Sequence, residues 1–455
     1  MSDIPTARRH FNHPGGIVTM STSTNRQVSR RSFVQGGIGA AAALSIATTG
    51  RSFSARAQDS QEITFMNWDA VPGTPIETAI NAFQEASGIT VNVQPTPTAD
   101  YETKMRTLLG SGSPPDVMRI NDDFVRGYSM DETLLDLNPY IQASGLNPAD
   151  YNEHPFRFPI QPDGQHTAWT IGTQPAVIFY NVDMFNEAGI PLPPGTWSSE
   201  GWTWETFLDA AMKLTIPDER WGALLYKDTS HETIYPVNNG EPTGIYSADG
   251  TQFTLANPAA IEAMQWVTDL TLVHGVQPPW EDLAADDSAN QYFVSGRTGM
   301  HSSTFGFAAY ARQNATFTWD VAPPPAGTAG QTTIATLIDF VIPKDAKNPD
   351  GAWELLKFLG GPEGGKIFAD AGAYVPVHKE TSALIVPVEG TSPAHLPLIV
   401  EATSHATNEN FSKNIQRARQ VYRPQLDLLY TGEQTAEEVL TGVKEQVEQA
   451  LAGDL

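Results

Sequence analysis

No catalytic constellation is spelled out in this chain. His231-Glu232 lacks the second histidine that a zinc-protease helix needs, and the remaining histidines, such as His274, His301 and His378, are scattered along the chain at no metal-ligand spacing. There is no Gly-x-Ser-x-Gly elbow. The absence of cysteine excludes disulfides, thiolate metal sites and a lipid-anchored cysteine. Two carboxylates suffice for glycoside hydrolysis, so among so many acids a secreted hydrolase stays open as a minor reading. What the chain does offer is aromatic rings and planar polar groups placed beside the ends of expected strands. Trp68 and Asp69 follow the first strand, and Asn121, Asp122 and Asp123 follow the third. Tyr235 and Asn239 share a Tyr-Pro-x-Asn-Asn-Gly loop, Asp339 interrupts an apolar strand, and Tyr374 precedes a Pro-Val pair. Flat rings cover apolar C–H faces while amides and carboxylates pair hydroxyls, so this set suits non-covalent capture of a polyhydroxylated small molecule.

Each of these residues also has an ordinary structural use. The Asn121–Asp123 run fits helix capping. A lone buried carboxylate is costly, so Asp339 is either paired or faces a cleft. Trp197 and Trp204 follow a proline-rich loop and are expected to pack the next helix.

The elements that would position these groups alternate between strand and helix. Ile63 to Trp68 reads as a strand, and Thr74-Pro75-Ile76-Glu77 is a helix start with a capping threonine and a proline at the first position. Ile76, Ala79, Ile80 and Phe83 recur at helical spacing, Gly88 stops the helix, and Ile89, Val91 and Val93 alternate as a strand. This is a βαβ unit, which implies a largely parallel sheet. Ala168 to Tyr180 is one long apolar stretch broken at Gly172–Pro175, read as a strand crossing from one lobe to another, and Ile334 to Ile342 is the crossing back. The expected fold is therefore α/β, with two non-contiguous lobes around a hinge. Lobe 1 is expected over 58–172 plus 338–375, and lobe 2 over 173–337 plus 376–455. Ligands of such folds bind in the crevice at the carboxyl ends of the strands.

The N-terminus carries its own address. Ser29-Arg30-Arg31-Ser32-Phe33 precedes a short apolar run and an Ala55-Arg56-Ala57 cleavage site, the arrangement of a twin-arginine export signal over 1–57. Such leaders start close to their arginines, which favours Met20 over Met1 as the start. Gly37-Ile-Gly39 lies inside this leader with no preceding strand, so it is not a dinucleotide fingerprint. The leader holds seven of the 27 basic residues and one of the 52 acidic ones, so the mature chain has a net charge near −31. That charge repels nucleic acid and anionic lipid. A periplasmic protein is expected, or a released one if the cell has a single membrane.

The run Phe179 to Phe207, FYNVDMFNEAGIPLPPGTWSSEGWTWETF, resembles the signature of extracellular solute-binding proteins of family 1, the maltose-binding-protein-like sugar receptors of ABC importers. Further segments match the family in order: Phe83 to Val91, Ser111 to Val117, Phe293 to Met300 with Gly299 where alanine is usual, Ala346 to Leu359, and Ala371 to Val377. The resemblance implies a two-lobed periplasmic binding protein type II fold, each lobe a mixed, mostly parallel sheet flanked by helices. It also implies a carbohydrate ligand, an ABC permease as partner, no cofactor and a monomer. It adds Gln174, on the crossing strand where some members carry an acid, and Phe305 and Phe307, where members stack an aromatic ring. Two other ligands remain in view. A polyamine would fit Asp69, Asp122, Asp123 and Asp339 converging. A glycerol phosphate would call for arginines, and of the flanking pair Arg119 and Arg126, Arg119 is expected to face off its strand.

Overall fold

The computed structural model describes residues 62–68, 71–226, 230–283, 287–408 and 412–455. The leader expected over 1–57 and the candidate Asp69 lie outside the described residues. Strand β1 (Glu62–Trp68) leads into helix α1 (Pro75–Ser87), which starts as its residues dictate: Pro75 opens it and the Thr74 hydroxyl accepts from the Glu77 N–H at 3.4 Å. Gly88, at φ +74°, closes it in a conformation that favours glycine. The helix buries Ile76, Ala79, Ile80 and Phe83. Strand β2 (Thr90–Thr96) returns parallel to β1, and helix α2 (Thr98–Gly110) leads to β3 (Val117–Ile120), parallel to β1 on its other side. Helix α3 (Asp122–Met130) begins directly beyond β3.

Strand β4 (Trp169–Asn181) runs unbroken through the expected break, with a register irregularity between Thr170 and Gly172. Its first half pairs with β8 (Ala335–Val341) and, at Gly172 and Thr173, with the short β9 (Val375–Pro376). Its second half pairs with β6 (Thr298–Thr304) and β7 (Trp319–Ala322), and β5 (Trp221–Leu224) lies parallel to β6. One strand is thus shared by two sheets, in the order β2-β1-β3-β8-β4-β6-β5. The parallel pairs are those made by βαβ crossovers. Every pair involving β4 or β8 is antiparallel, because a chain that crosses and then returns must run against itself.

Both faces of each sheet are covered, which is why the strands read as near-continuous apolar runs. In the first lobe Phe65, Val117 and Phe340 pack on one face, and Met66, Met118 and Val341 on the other. In the second, Ile178, Tyr180 and Met300 share a core with the C-terminal helices Ile415–Tyr430 and Ala436–Ala452, while Val177, Phe179 and Val321 form a separate cluster. Thr435 and Glu438 cap the last helix reciprocally, at 3.2 and 2.9 Å. No described helix is long and apolar enough to cross a membrane.

The helix Trp204–Leu214 approaches β5 so closely that a Cβ on Gly222 would fall 1.8 Å from the Ala211 carbonyl oxygen. The obstacle is backbone, so the helix itself must move. Gly222→Ala is expected to destabilise by about 2 kcal/mol through overpacking, read from the midpoint of chemical unfolding. An unchanged midpoint would show that this contact is not tight.

Candidate ligand-binding cleft

A cavity of about 510 Å³ opens where β1 and β3 end. The first lobe lines it with Trp68, Tyr101, Asn121, Asp123 and Phe124, and the second lobe with Gln416 and Arg419 from the Ile415–Tyr430 helix. Trp68 is there because it is the last residue of β1, where the sheet stops covering side chains. The Tyr101 ring meets it edge-on at 5.2 Å and 89°, and its hydroxyl donates to the carbonyls of Met66 and Arg119 at 3.1 and 2.8 Å. Asn121 precedes α3 without bonding to it through its side chain, so its amide stays exposed at the cavity wall.

Arg119 departs from its expected outward direction. Its guanidinium carbon lies 3.9 Å from the centroid of the Trp68 ring. Arg119 is paired within β3, opposite Phe340, and its long stem carries the guanidinium over Trp68 at the end of β1. Burial lowers the pKa of this guanidinium, opposed by Tyr374, Tyr101 and Asp339 around it.

The three aspartates play different parts. Asp123 pairs with Arg419 and accepts from Gln416 Nε2 at 3.2 Å, so it joins the two lobes. Asp122 accepts the Asp123 N–H at 3.0 Å and the Asn408 amide at 3.2 Å, while that amide also donates to the Ala335 carbonyl at the start of β8. Burial, with Asp123 and Asp339 nearby, pushes the Asp122 carboxyl well up. Asp339 is fully buried, and its Oδ1 accepts from the Thr170 hydroxyl at 2.6 Å. Burial raises its pKa to about 7 against the opposing pull of Thr170 and Arg119.

That shift has a sign. Native Asp339 keeps a proton which the unfolded chain sheds above about pH 4. Its contribution to stability is therefore complete below pH 4 and lost as the pH rises through 7. Asp122, and Glu232 in the second lobe, are raised too and slope the same way. Asp339→Asn is expected to flatten part of the fall in melting temperature between pH 4.5 and 8. A variant whose profile parallels the wild type would refute this assignment.

Gln174 donates to the Ala373 carbonyl at 3.3 Å and lies against Gly306 of the second lobe, where a Cβ would stand 2.9 Å from its amide nitrogen. Tyr374 packs over Gly172 and beside Phe368, with ring centroids 5.4 Å apart. Trp68, Asn121 and Asp123 thus line the cavity, Asp122 adjoins them in the chain, Asp339 lies opposite Ile120 at the end of β3, and Gln174 and Tyr374 stand on β4 and beside it.

Four candidates do not join them. Tyr235 is fully buried in the second-lobe core, 5.4 Å from Trp266, because the segment read as a loop is the helix His231–Asn238 with Pro236 inside it. Asn239 is consumed structurally: its amide donates to the Ala259 carbonyl and to Glu262, both at 3.0 Å, and its oxygen accepts from Thr328 at 2.9 Å. Phe305 and Phe307 are buried with Phe179 and Trp319. Conversely, Tyr101, Arg119, Asn408, Gln416 and Arg419 reach the cleft region without having been selected from the sequence. Tyr101 had only a helical period to mark it, and Arg419 lies 296 residues from its partner Asp123. His231 is buried in the second-lobe core: burial pushes its imidazole down to about 3, and Nε2 pairs with the Tyr430 hydroxyl at 2.7 Å.

Comparison with known proteins places this architecture. A binding protein of Brucella abortus (strain 2308) is 26% identical over 71% of this chain and 77% of that one. The erythritol/L-threitol-binding protein of Mycolicibacterium smegmatis is 31% identical over 34% of this chain and 35% of that one. The structure of an ABC substrate-binding protein from Listeria monocytogenes in complex with cycloalternan superposes with a TM-score of 0.75 at 23% identity, covering 87% of this chain and all of that one. The family model for bacterial extracellular solute-binding proteins matches residues 78–397, and the chain belongs to that family.

Proposed function

We propose that this protein is the extracytoplasmic substrate-binding component of an ABC importer, that it captures a neutral carbohydrate or polyol between its lobes, and that its liganded form docks on the permease. The observation that carries the reading is the composition of the cleft: Trp68 and Tyr101 supply aromatic surface, and Asn121, Asp123, Gln416 and Arg419 supply planar polar groups around one cavity. The relatives named for erythritol and solved with cycloalternan support a hydroxylated ligand. Export by the twin-arginine leader, a periplasmic location and a monomeric state complete the proposal. The lobe boundaries we propose are 58–172 plus 338–375, and 173–337 plus 376–455.

The test is a thermal-shift screen of residues 58–455 against sugars, sugar alcohols, sn-glycerol 3-phosphate and spermidine, since a ligand that binds only the native state raises the melting temperature. A rise with a sugar or polyol is the expected result. A rise confined to spermidine or glycerol phosphate would overturn the carbohydrate assignment and leave the receptor. No rise with any compound would count against capture altogether. The Trp68 ring, though covered by Arg119 on one face, lines the cavity. Trp68→Ala is expected to weaken binding of the responding sugar by at least about 1 kcal/mol. Equal affinity in a folded variant would remove Trp68 from the site.

A further inference from the structure

The buried polar atoms at the strand ends with no hydrogen-bond partner among the described residues include Nε of Arg119 and Oδ2 of Asp339. These two stand on neighbouring strands, where Ile120 of β3 lies opposite Asp339 of β8 and Arg119 lies opposite Phe340. Neither is loosely held. Trp68 lies under the guanidinium and Tyr374 beside it, while the Thr170 hydroxyl fixes the other carboxylate oxygen at 2.6 Å. Each group feels the other's charge, yet these two atoms are not bonded to one another. Buried donors and acceptors left unpaired are expensive, and direct pairing would relieve both at once. Instead the fold leaves a donor and an acceptor unpaired beside the end of β3.

We infer that Arg119 and Asp339 form a socket for one ligand hydroxyl, which accepts from Arg119 Nε and donates to Asp339 Oδ2. The inference rests on the receptor reading and names the chemistry that decides its selectivity. A hydroxyl is the small group that both donates and accepts. An ammonium donates only and would meet the guanidinium's positive charge. A phosphate or carboxylate accepts only and would face the aspartate. The socket therefore selects an uncharged alcohol over a polyamine or a glycerol phosphate. Arg119 becomes a specificity-determining residue, and Trp68 is its platform as well as a wall of the cavity.

The experiment is isothermal titration at pH 8, where the Asp339 carboxyl is ionised. Residues 58–455 are titrated with meso-erythritol, D-glucose, maltose, sn-glycerol 3-phosphate and spermidine, then with the monodeoxy forms of the tightest-binding sugar or polyol. The variants are Arg119→Met, which keeps the stem on Trp68 but removes the donors, and Asp339→Asn, which keeps the shape but removes the charge. The expected result is at least tenfold weaker binding in each variant. One deoxy form should bind the wild type at least tenfold more weakly yet lose nothing further in either variant, since it lacks the hydroxyl in question. Should Arg119→Met not fold, the deoxy series on the wild type and on Asp339→Asn still decides. Unchanged affinity in folded variants, or equal binding of all deoxy forms, would overturn the socket and leave the receptor standing. Preference for spermidine or glycerol phosphate would do the same. Failure of the wild type to bind any compound would overturn the receptor reading and the socket with it.

Discussion

Tyr235→Ala is expected to cost about 4 kcal/mol of stability, whereas Tyr235→Phe should leave both folding and ligand affinity nearly untouched. The ring is fully buried against Trp204 and Trp266, which stack on each other at 4.3 Å and 13°. Truncating a buried aromatic ring removes its burial energy and leaves a cavity that its neighbours fill only in part, which typically costs 3–5 kcal/mol. Two helices meet at this ring, His231–Asn238 and Pro258–Leu272, so the loss would loosen the second lobe as a whole. The hydroxyl sits next to Ser302 and contributes little beside the ring. Urea unfolding of the three proteins, together with titration of the responding sugar, separates the alternatives. An alanine variant with wild-type stability and lost affinity would restore Tyr235 to the ligand site and refute its placement in the core.

That case shows where sequence reasoning reached and where it stopped. The helix and strand order of the first lobe was legible because each apolar period has one solution, and the capping residues Thr74 and Gly88 mark the ends. The crossing strand was legible because the thirteen residues from Trp169 are mostly apolar and rich in β-branched and aromatic types, as a strand buried on both faces requires. Asp339 stood out because a carboxylate has no business in such a run without a partner or a ligand. Tyr-Pro-x-Asn-Asn-Gly, by contrast, carries the same turn-forming residues whether the chain loops or ends a helix, and only the packing against Trp204 and Trp266 decides. Phe305 and Phe307 follow a strand end as ligand walls do, but the neighbouring β4 and β7 supply Phe179 and Trp319 to cover them. Arg119 was misread because strand alternation sets the direction of its Cβ, not where its long stem carries the guanidinium. The second-lobe wall was out of reach for another reason. Gln416 and Arg419 come from a helix whose face toward the cleft is set by tertiary docking, and no local pattern distinguishes that face from solvent.

The docking of that helix makes Arg419 the residue whose loss should most change how the two lobes meet. Asp123 belongs to α3, whose Val125 and Tyr128 sit in the first-lobe core, while Arg419 belongs to a helix whose Ala418 and Tyr422 sit in the second. Their ion pair is largely buried, with side chains 11% and 14% exposed, so it is neither fully hydrated nor strongly screened by salt. Arg419 also acts on Glu232, a buried carboxylate that accepts from the Tyr422 hydroxyl at 2.7 Å. Arg419→Ala would leave Asp123 without its counter-charge, whereas Glu232 keeps Arg423 at 3.7 Å. Removing one partner of a buried pair commonly costs 3–5 kcal/mol, because the remaining charge stays desolvated, and about 3 kcal/mol is expected here. The loss falls on the contact between lobes rather than on either core. It should therefore shift the equilibrium toward separated lobes by roughly 100-fold. Small-angle scattering of the ligand-free variant should give a larger radius of gyration, and the responding sugar should bind more weakly in proportion to the competent fraction lost. Lys413→Ala provides the contrast. Its pair with Asp131 spans the same lobes but is 46% and 44% exposed, and exposed pairs contribute at most about 1 kcal/mol. If Arg419→Ala matched Lys413→Ala in both radius and affinity, the buried pair would not be what holds the lobes together, and closure would have to come from the ligand alone.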